Sequence, residues 1–323
     1  MTKIDTLGRR NRLKPQSTAK RVTPQARDLL WFQKLHEHGP LPSSFLLHYA
    51  RATHRSEKRA KERLTDLFNE DNTPHGGPYL ARPPQQFRTI DSRYNQLVYD
   101  LTAASEKALK QAGLWSDYGT SRSGPWLHTH MVACITASIE LSAHVRDDIR
   151  YISQSFLLER ANTELRHPTG ITDTATGREY EKDLIPDAVF GLEYQTPDGP
   201  RFRCFLVEAD RSTEPATSAN FNRKSWQRSL QQYEEYVGRE LYRDHLNLKA
   251  PMMVLNIMSD PKRIEKIGPL VESHASSVAS RFLFQSWSDF GAVFRPPMPN
   301  GQLLKGIWDR PDRDAIRIDR AKS

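Results

Sequence analysis

Leu184-Ile185-Pro186-Asp187-Ala188-Val189-Phe190, a Pro197–Pro200 turn, then Phe202-Arg203-Cys204-Phe205-Leu206-Val207-Glu208-Ala209-Asp210: this stretch decides how the chain is read. Cys204 to Val207 is an unbroken apolar run closed by two acids. A short apolar run between turn signals is a strand buried on both faces. Side chains alternate along a strand, so Glu208 and Asp210 leave it on the same side. Asp187 opens the preceding strand and comes beside them if the two pair as a hairpin. Three carboxylates at one end of a sheet suit a divalent cation, because hard cations take oxygen ligands. Mg²⁺ or Mn²⁺ would fit such a cluster.

Arg211-Ser212-Thr213-Glu214 leads from this strand into a helical pattern, Phe221 to Val237, that carries Arg223, Lys224, Arg228, Gln232 and Tyr236. Pro251 to Met258 is a further buried strand, Lys262 to Ser280 a helix, and Phe282 to Phe284 a fourth strand. Helices alternating with buried strands predict an α/β sheet with mixed pairing. Ile307-Trp308 is read as part of a closing hairpin, residues 311–323 as a charged tail that frays, and residues 161–182 as a polar loop.

The N-terminal half has a different texture. Residues 1–22 hold seven basic residues against one acid, Asp5, within a chain of net charge +8. With so little apolar content the segment is expected to be disordered. Arg9, Arg10 and Arg12 then belong to an arm that lies along DNA phosphates, or to a solubilising tail. From Thr23-Pro24, a cap followed by proline, Leu29, Leu30, Phe32 and Leu35 mark a first helix. Pro42 starts a second, and Arg55 to Asn69 is a third. In the third, Ala60, Leu64, Leu67 and Phe68 share one face at helical spacing. Arg55, Lys58, Arg59 and Arg63 are its candidate DNA contacts. Three helices followed by Pro78-Tyr79-Leu80 and an alternating stretch, Tyr94 to Leu101, read as a winged helix-turn-helix with the third helix as recognition element and residues 78–100 as the wing. Arg82, Arg88 and Arg93 in the wing are candidate phosphate contacts. His128 and His130, two apart on a helix, diverge too far to share a metal and are read as surface histidines.

At 323 residues the chain is long enough for two cores. Its basic balance points to an anionic partner, and its two cysteines, both in apolar patterns, to a reducing, cytoplasmic compartment. The first twenty residues show no apolar signal core. The longest apolar run, Met131 to Ile139, is too short for a bilayer, so no membrane partner is expected.

Pro186-Asp187 followed by Glu208-x-Asp210 resembles a PD-(D/E)xK nuclease core with its lysine replaced, and Gln232-x-x-x-Tyr236 matches a motif of RecB-like members. Over residues 23–260 the chain more closely resembles the replication-relaxation family, which includes MobC-type plasmid mobilisation proteins. That resemblance implies a winged helix joined to a nuclease-like domain, an α+β protein. It implies Asp187, Glu208, Asp210, Lys224, Gln232 and Tyr236 as the site, with Lys224 as relocated lysine and Glu159 as a more distant metal ligand.

The expected organisation is a basic arm (1–22), a winged helix (23–112), a linker and connecting helix (113–150), a nuclease-like domain (151–310) and the tail. The leading function is sequence-specific binding of double-stranded DNA as an accessory protein in plasmid or phage replication, mobilisation or transcription, with no cofactor required. Asp187, Glu208 and Asp210 would then be remnants, paired with Arg211, Arg223 or Arg228. The alternative is a metal-dependent endonuclease that nicks DNA. A third reading makes the protein a module that recruits a relaxase or replication initiator; a dimer is compatible with all three.

Overall fold

A computed structural model of the protein describes residues 12–70, 75–89, 91–120, 124–173, 176–218, 220, 222–291, 293–311 and 313–321. The chain divides into two compact units: Met1–Ala137 with Val293–Pro299, and Ser138–Ala292 with Asn300–Ser323. Arg9 and Arg10 lie outside the described residues.

The first unit runs α1 (Ala26–His38), β1 (Leu41–Pro42), α2 (Ser43–Tyr49), α3 (Glu57–Asn69), β2 (Leu80–Ala81), β3 (Val98–Leu101) and α4 (Ala103–Gln111). β3 lies between β1 and β2, antiparallel to both. Helix α1 begins later than Thr23-Pro24 suggests. Its cap is Gln25, whose N–H donates to the buried carboxylate of Asp28 at 2.8 Å. Ser56 caps α3, accepting the Arg59 N–H. Ala60, Leu64, Leu67 and Phe68 form the buried face of α3, and Trp31, Phe32, Leu35, Phe45 and Leu46 are buried in the same unit. Each side chain of this size contributes about 1.5–3 kcal/mol on burial.

Residues 12–20 are not a free arm. Glu70, at the end of α3, is almost fully buried. It collects the Ser17 hydroxyl (2.7 Å), the Thr18 hydroxyl (2.7 Å) and the Thr18 N–H (3.1 Å). Burial pushes the Glu70 carboxyl up, but the donors of Ser17 and Thr18 hold it below its ordinary value. The buried carboxylate needs those donors, and the segment is ordered by supplying them. Low apolar content alone could not reveal this.

Helix α5 (Trp126–His144) follows. His130 is fully buried rather than a surface residue; its Nδ1 donates to Pro40 O at 2.9 Å. Burial pushes its imidazole down to about 4, so it is neutral at ordinary pH.

The second unit contains β4 (Ile149–Ile152), α6 (Gln154–Ala161), β5 (His167–Thr172), β6 (Glu179–Leu184), β7 (Ala188–Tyr194), β8 (Arg201–Asp210), α7 (Trp226–Gly238), α8 (Tyr242–His245), β9 (Met252–Met258), α9 (Pro261–His274), β10 (Phe282–Ser286), α10 (Gln302–Lys305), β11 (Ile307–Arg310) and β12 (Arg313–Arg317). Seven strands form one sheet in the order β12-β11-β10-β9-β8-β7-β4. β8, β9 and β10 are parallel neighbours, while the pairs on either side are antiparallel. The fold is therefore mixed α+β. A parallel pair needs a crossover, and α7 lies in the one between β8 and β9.

Two expectations fail here. Residues 161–182 are not all loop: β5 and β6 pair antiparallel as a separate ribbon. Charges on both faces of Glu179-Tyr180-Glu181-Lys182-Asp183 hid the strand from its pattern. Nor does the tail fray. β12 pairs with β11, Ile318 is fully buried, and its carbonyl accepts the Tyr194 hydroxyl at 2.7 Å. Asp319 takes Arg146 at 3.0 Å and Arg317 at 2.9 Å. The buried Asp319 carboxylate is thus answered by arginines, so it does not oppose the docking of this segment. Among the described residues no helix is long and apolar enough to cross a membrane.

Candidate functional site

The β7–β8 register pairs Ala188 with Val207. The ladder ends there: Asp187 sits at a bend just before β7, near enough for its charge to act on the Glu208 carboxyl. The Asp187 N–H donates to Val207 O at 3.0 Å, and its Oδ2 accepts the Ala209 N–H at 2.8 Å. Glu208 is buried and accepts a short hydrogen bond from the Tyr233 hydroxyl of α7. Burial pushes the Glu208 carboxyl up to about 8, and the neighbouring Asp187 charge adds to the effect.

Asp210 does not join them. Its Oδ1 accepts the Ser212 N–H at 2.6 Å; its Oδ2 accepts Trp226 Nε1 at 2.9 Å and Arg263 Nε at 2.8 Å. Ser212 sits at φ 61°, uncommon for a residue with a Cβ, and the Asp210 side chain fastens that turn. Arg263 also donates to Glu214 O. Asp210 is thus the anchor of the turn leaving β8, neutralised by a cation that stands 53 residues away in sequence.

The turn delivers Glu214, which the sequence did not single out. Lys224 Nζ lies 3.4 Å from Glu214 Oε2. The Lys224 ammonium is held well above its ordinary range, first by the Glu208 charge and then by those of Glu214 and Asp187. Glu214 is itself pushed up by burial, against the pull of Lys224. Lys224 is half exposed, precedes the Ser225 cap of α7, and so stands at the rim of an acidic pit formed by Asp187, Glu208 and Glu214.

Carboxylate oxygens suit a hard cation. The spacing does not: neither Asp187, Glu208 and Asp210 nor the set with Glu214 brings one oxygen each within 4.8 Å of the others. No metal-dependent step is derived from this arrangement. Glu159 is exposed, five residues along α6 from Gln154, and it is Gln154 Oε1 that reaches the start of β7, accepting Val189 N–H at 3.1 Å. Gln232 and Tyr236 are also absent from the pit. Gln232 Nε2 donates to Thr169 Oγ1 (3.0 Å) and Lys182 O (3.1 Å), clamping the β5–β6 ribbon, while Tyr236 bonds to His245 at 2.8 Å. Tyr233 presents the other face of the helix to Glu208. Arg211, Arg223 and Arg228 form no ion pair with these acids among the described residues.

In the first unit a groove of about 1290 Å³ runs along α3. Its walls carry Lys20, Arg27, Arg55, Lys58, Arg59 and Lys61, with Glu57, Glu62 and Asp66 as the opposing acids and Arg63 at its inner edge. Arg55 and Lys58 are exposed and form no ion pair with a described residue. Arg59 pairs with Glu62 at 2.9 Å and Lys61 with Glu57, both on the exposed surface, where such pairs contribute about 0–1 kcal/mol.

Two arginines read as DNA contacts are turned inward. Arg63 forks onto Asp28, Nε to Oδ1 at 3.1 Å and Nη2 to Oδ2 at 2.6 Å, and also donates to Thr23 O. Arg82 is buried, its guanidinium 3.8 Å over the Phe68 ring, donating to the Tyr99 hydroxyl (3.1 Å) and Arg12 O (3.0 Å). Arg12 in turn donates to Arg93 O at 2.8 Å. Arg88 is exposed, as is Arg93, which lies over Tyr94. Arg27 was missed because only the fold brings it to the groove, whereas Lys61 stands on α3 itself and was passed over.

A family model described as Replication-relaxation matches residues 32–249, two-thirds of the chain. The chain belongs to the replication-relaxation family. No curated protein and no solved structure matches it.

Proposed function

We propose that the protein is a DNA-binding accessory factor in plasmid replication or mobilisation, with α3 lying in the major groove of double-stranded DNA. The observation that carries this reading is the basic groove along α3, where Arg55 and Lys58 stand exposed and unpaired with any described residue. The helix–strand–helix–helix–hairpin order of the first unit supports a winged helix-turn-helix, with residues 78–100 read as the wing. Family membership supports the same setting, and a relaxase or replication initiator is the protein partner it suggests. Arg55→Ala and Lys58→Ala should each weaken binding to any duplex and lower the slope of log affinity against log salt by about 1. Gel retardation across a salt series measures this; an unchanged slope in both variants would move the interface away from α3.

A second reading, a nicking endonuclease on a PD-(D/E)xK-like core, is favoured by one observation: Lys224 stands in the field of Glu208, Glu214 and Asp187. Supercoiled plasmid incubated with the protein in Mg²⁺ or Mn²⁺ tests it. On the leading reading the plasmid is retarded and stays closed. Nicking that disappears in both Asp187→Ala and Lys224→Ala would establish the second reading instead.

A further inference from the structure

At the opposite end of β8 from the acidic pit the second unit opens a cavity of about 860 Å³. Five residues of extended strand separate Arg203 from Glu208, roughly 17 Å at ~3.3 Å per residue, so the two are distinct places on one strand. Arg150, Arg160, Arg201, Arg203 and Lys249 line the cavity; Arg150 pairs with Glu193 and Arg201 with Asp198 at 3.3 Å, while Arg160, Arg203 and Lys249 form no ion pair with a described residue. Two phenylalanines also line it and remain uncovered: Phe156 is 54% exposed and Phe202 44% exposed. Arg203 donates to Ala321 O at 3.1 Å through Nη2, while its Nη1 is buried without a hydrogen-bond partner. A buried guanidinium N–H with no acceptor is a costly arrangement.

We infer that this cavity is a binding site for single-stranded nucleic acid, with bases on Phe156 and Phe202 and backbone phosphates on the surrounding arginines and Lys249. Guanidinium groups match phosphate oxygens in a fork, and aromatic faces hold unpaired bases without regard to sequence. A nucleotide strand repeats a flat ring and an anion at every residue, which is the pairing of groups that the cavity displays. An acidic peptide would answer the cations but leave the two rings uncovered. A duplex keeps its bases stacked inside and could not offer them to the rings. The site is separate from α3, and the proposal does not depend on duplex binding there.

Fluorescence anisotropy of the full chain with a labelled dT oligomer of about 12 nucleotides, beside a labelled duplex and a polyglutamate peptide, tests the proposal. The expected result is dT binding that falls about tenfold or more in Phe156→Ala with Phe202→Ala. It should fall again, with a shallower salt dependence, in Lys249→Glu, while duplex binding is unchanged. Phe156, Phe202 and Lys249 are exposed, so the variants should fold; an unaltered circular dichroism melt checks this. In Arg55→Ala with Lys58→Ala, dT binding should survive. Failure of duplex binding there says nothing against this site. Undiminished dT affinity in the phenylalanine variant, absence of dT binding, or peptide binding that these substitutions abolish in place of dT binding would each overturn the assignment.

Discussion

Arg63→Ala should destabilise the first unit by about 3–5 kcal/mol, the range for removing one partner of a buried ion pair. Asp28 is fully inaccessible, and the Arg63 side chain is only 16% exposed. Besides Arg63, the Asp28 carboxylate accepts the Gln25 N–H at the start of α1. Without the guanidinium it would stay buried with its charge unanswered. The same arginine donates to Thr23 O, so it fastens the entry to α1 onto α3. Urea denaturation followed by tryptophan fluorescence reads the change, since Trp31 is buried in this unit. The outcome also separates two roles. A DNA contact would leave the denaturation midpoint in place and weaken only DNA binding. The structure predicts the reverse at low denaturant: a large loss of stability and, while the unit stays folded, little change in salt slope. Asp28→Ala with Arg63→Ala should be less damaging than either change alone, because no unpaired charge remains.

This pair shows where the sequence was readable and where it stopped. The apolar face of α3 could be read because Ala60, Leu64, Leu67 and Phe68 obey helical spacing. Its polar face could not be divided into inward and outward arginines. Arg63 and Arg59 look alike until a carboxylate 35 residues away takes one of them. The β7–β8 hairpin was legible in the same way, from an apolar run and a turn, and it brings the Asp187 charge near Glu208. Alternation also placed Asp210 on the same side as Glu208, correctly as direction. It said nothing of Arg263 or Trp226, which draw Asp210 into a structural role. Lys224 could be named as a basic residue near the next helix, but Glu214 and Tyr233 became visible only once that helix was docked. The Gln232-x-x-x-Tyr236 spacing was real as a helical stripe, and it faces the ribbon and His245 instead. In each case the local period was informative, while the partner that assigns the role was distant in sequence.

Glu208→Gln should make the protein more stable at pH 9 and flatten its stability between about pH 5 and 8. Burial raises the folded-state carboxyl to about 8, with Asp187 adding to it, whereas an exposed glutamate titrates near ~4.3. Between those values the folded state binds more protons than the unfolded state. Stability therefore falls as pH rises through this window. The penalty is complete above the folded value and absent below the unfolded one. At about 1.4 kcal/mol per unit, the full shift sets an upper limit of roughly 5 kcal/mol. Glutamine keeps the shape and an oxygen to accept the Tyr233 hydroxyl, and carries no charge to desolvate. Urea midpoints from pH 5 to 9, wild type beside Glu208→Gln, measure the difference. Parallel curves would mean that Lys224 fully compensates the Glu208 charge and that the pit stores no electrostatic strain. A wild-type curve that falls alone would mean that the fold maintains an acid at a cost in stability. Burying a carboxylate near Asp187 gives the core nothing that glutamine would not, so such a cost would mark the pit as kept for an activity. Repeating the series in Mn²⁺ then discriminates further: an ion bound there lowers the Glu208 pKa and lifts the wild-type curve at alkaline pH, with no effect on Glu208→Gln.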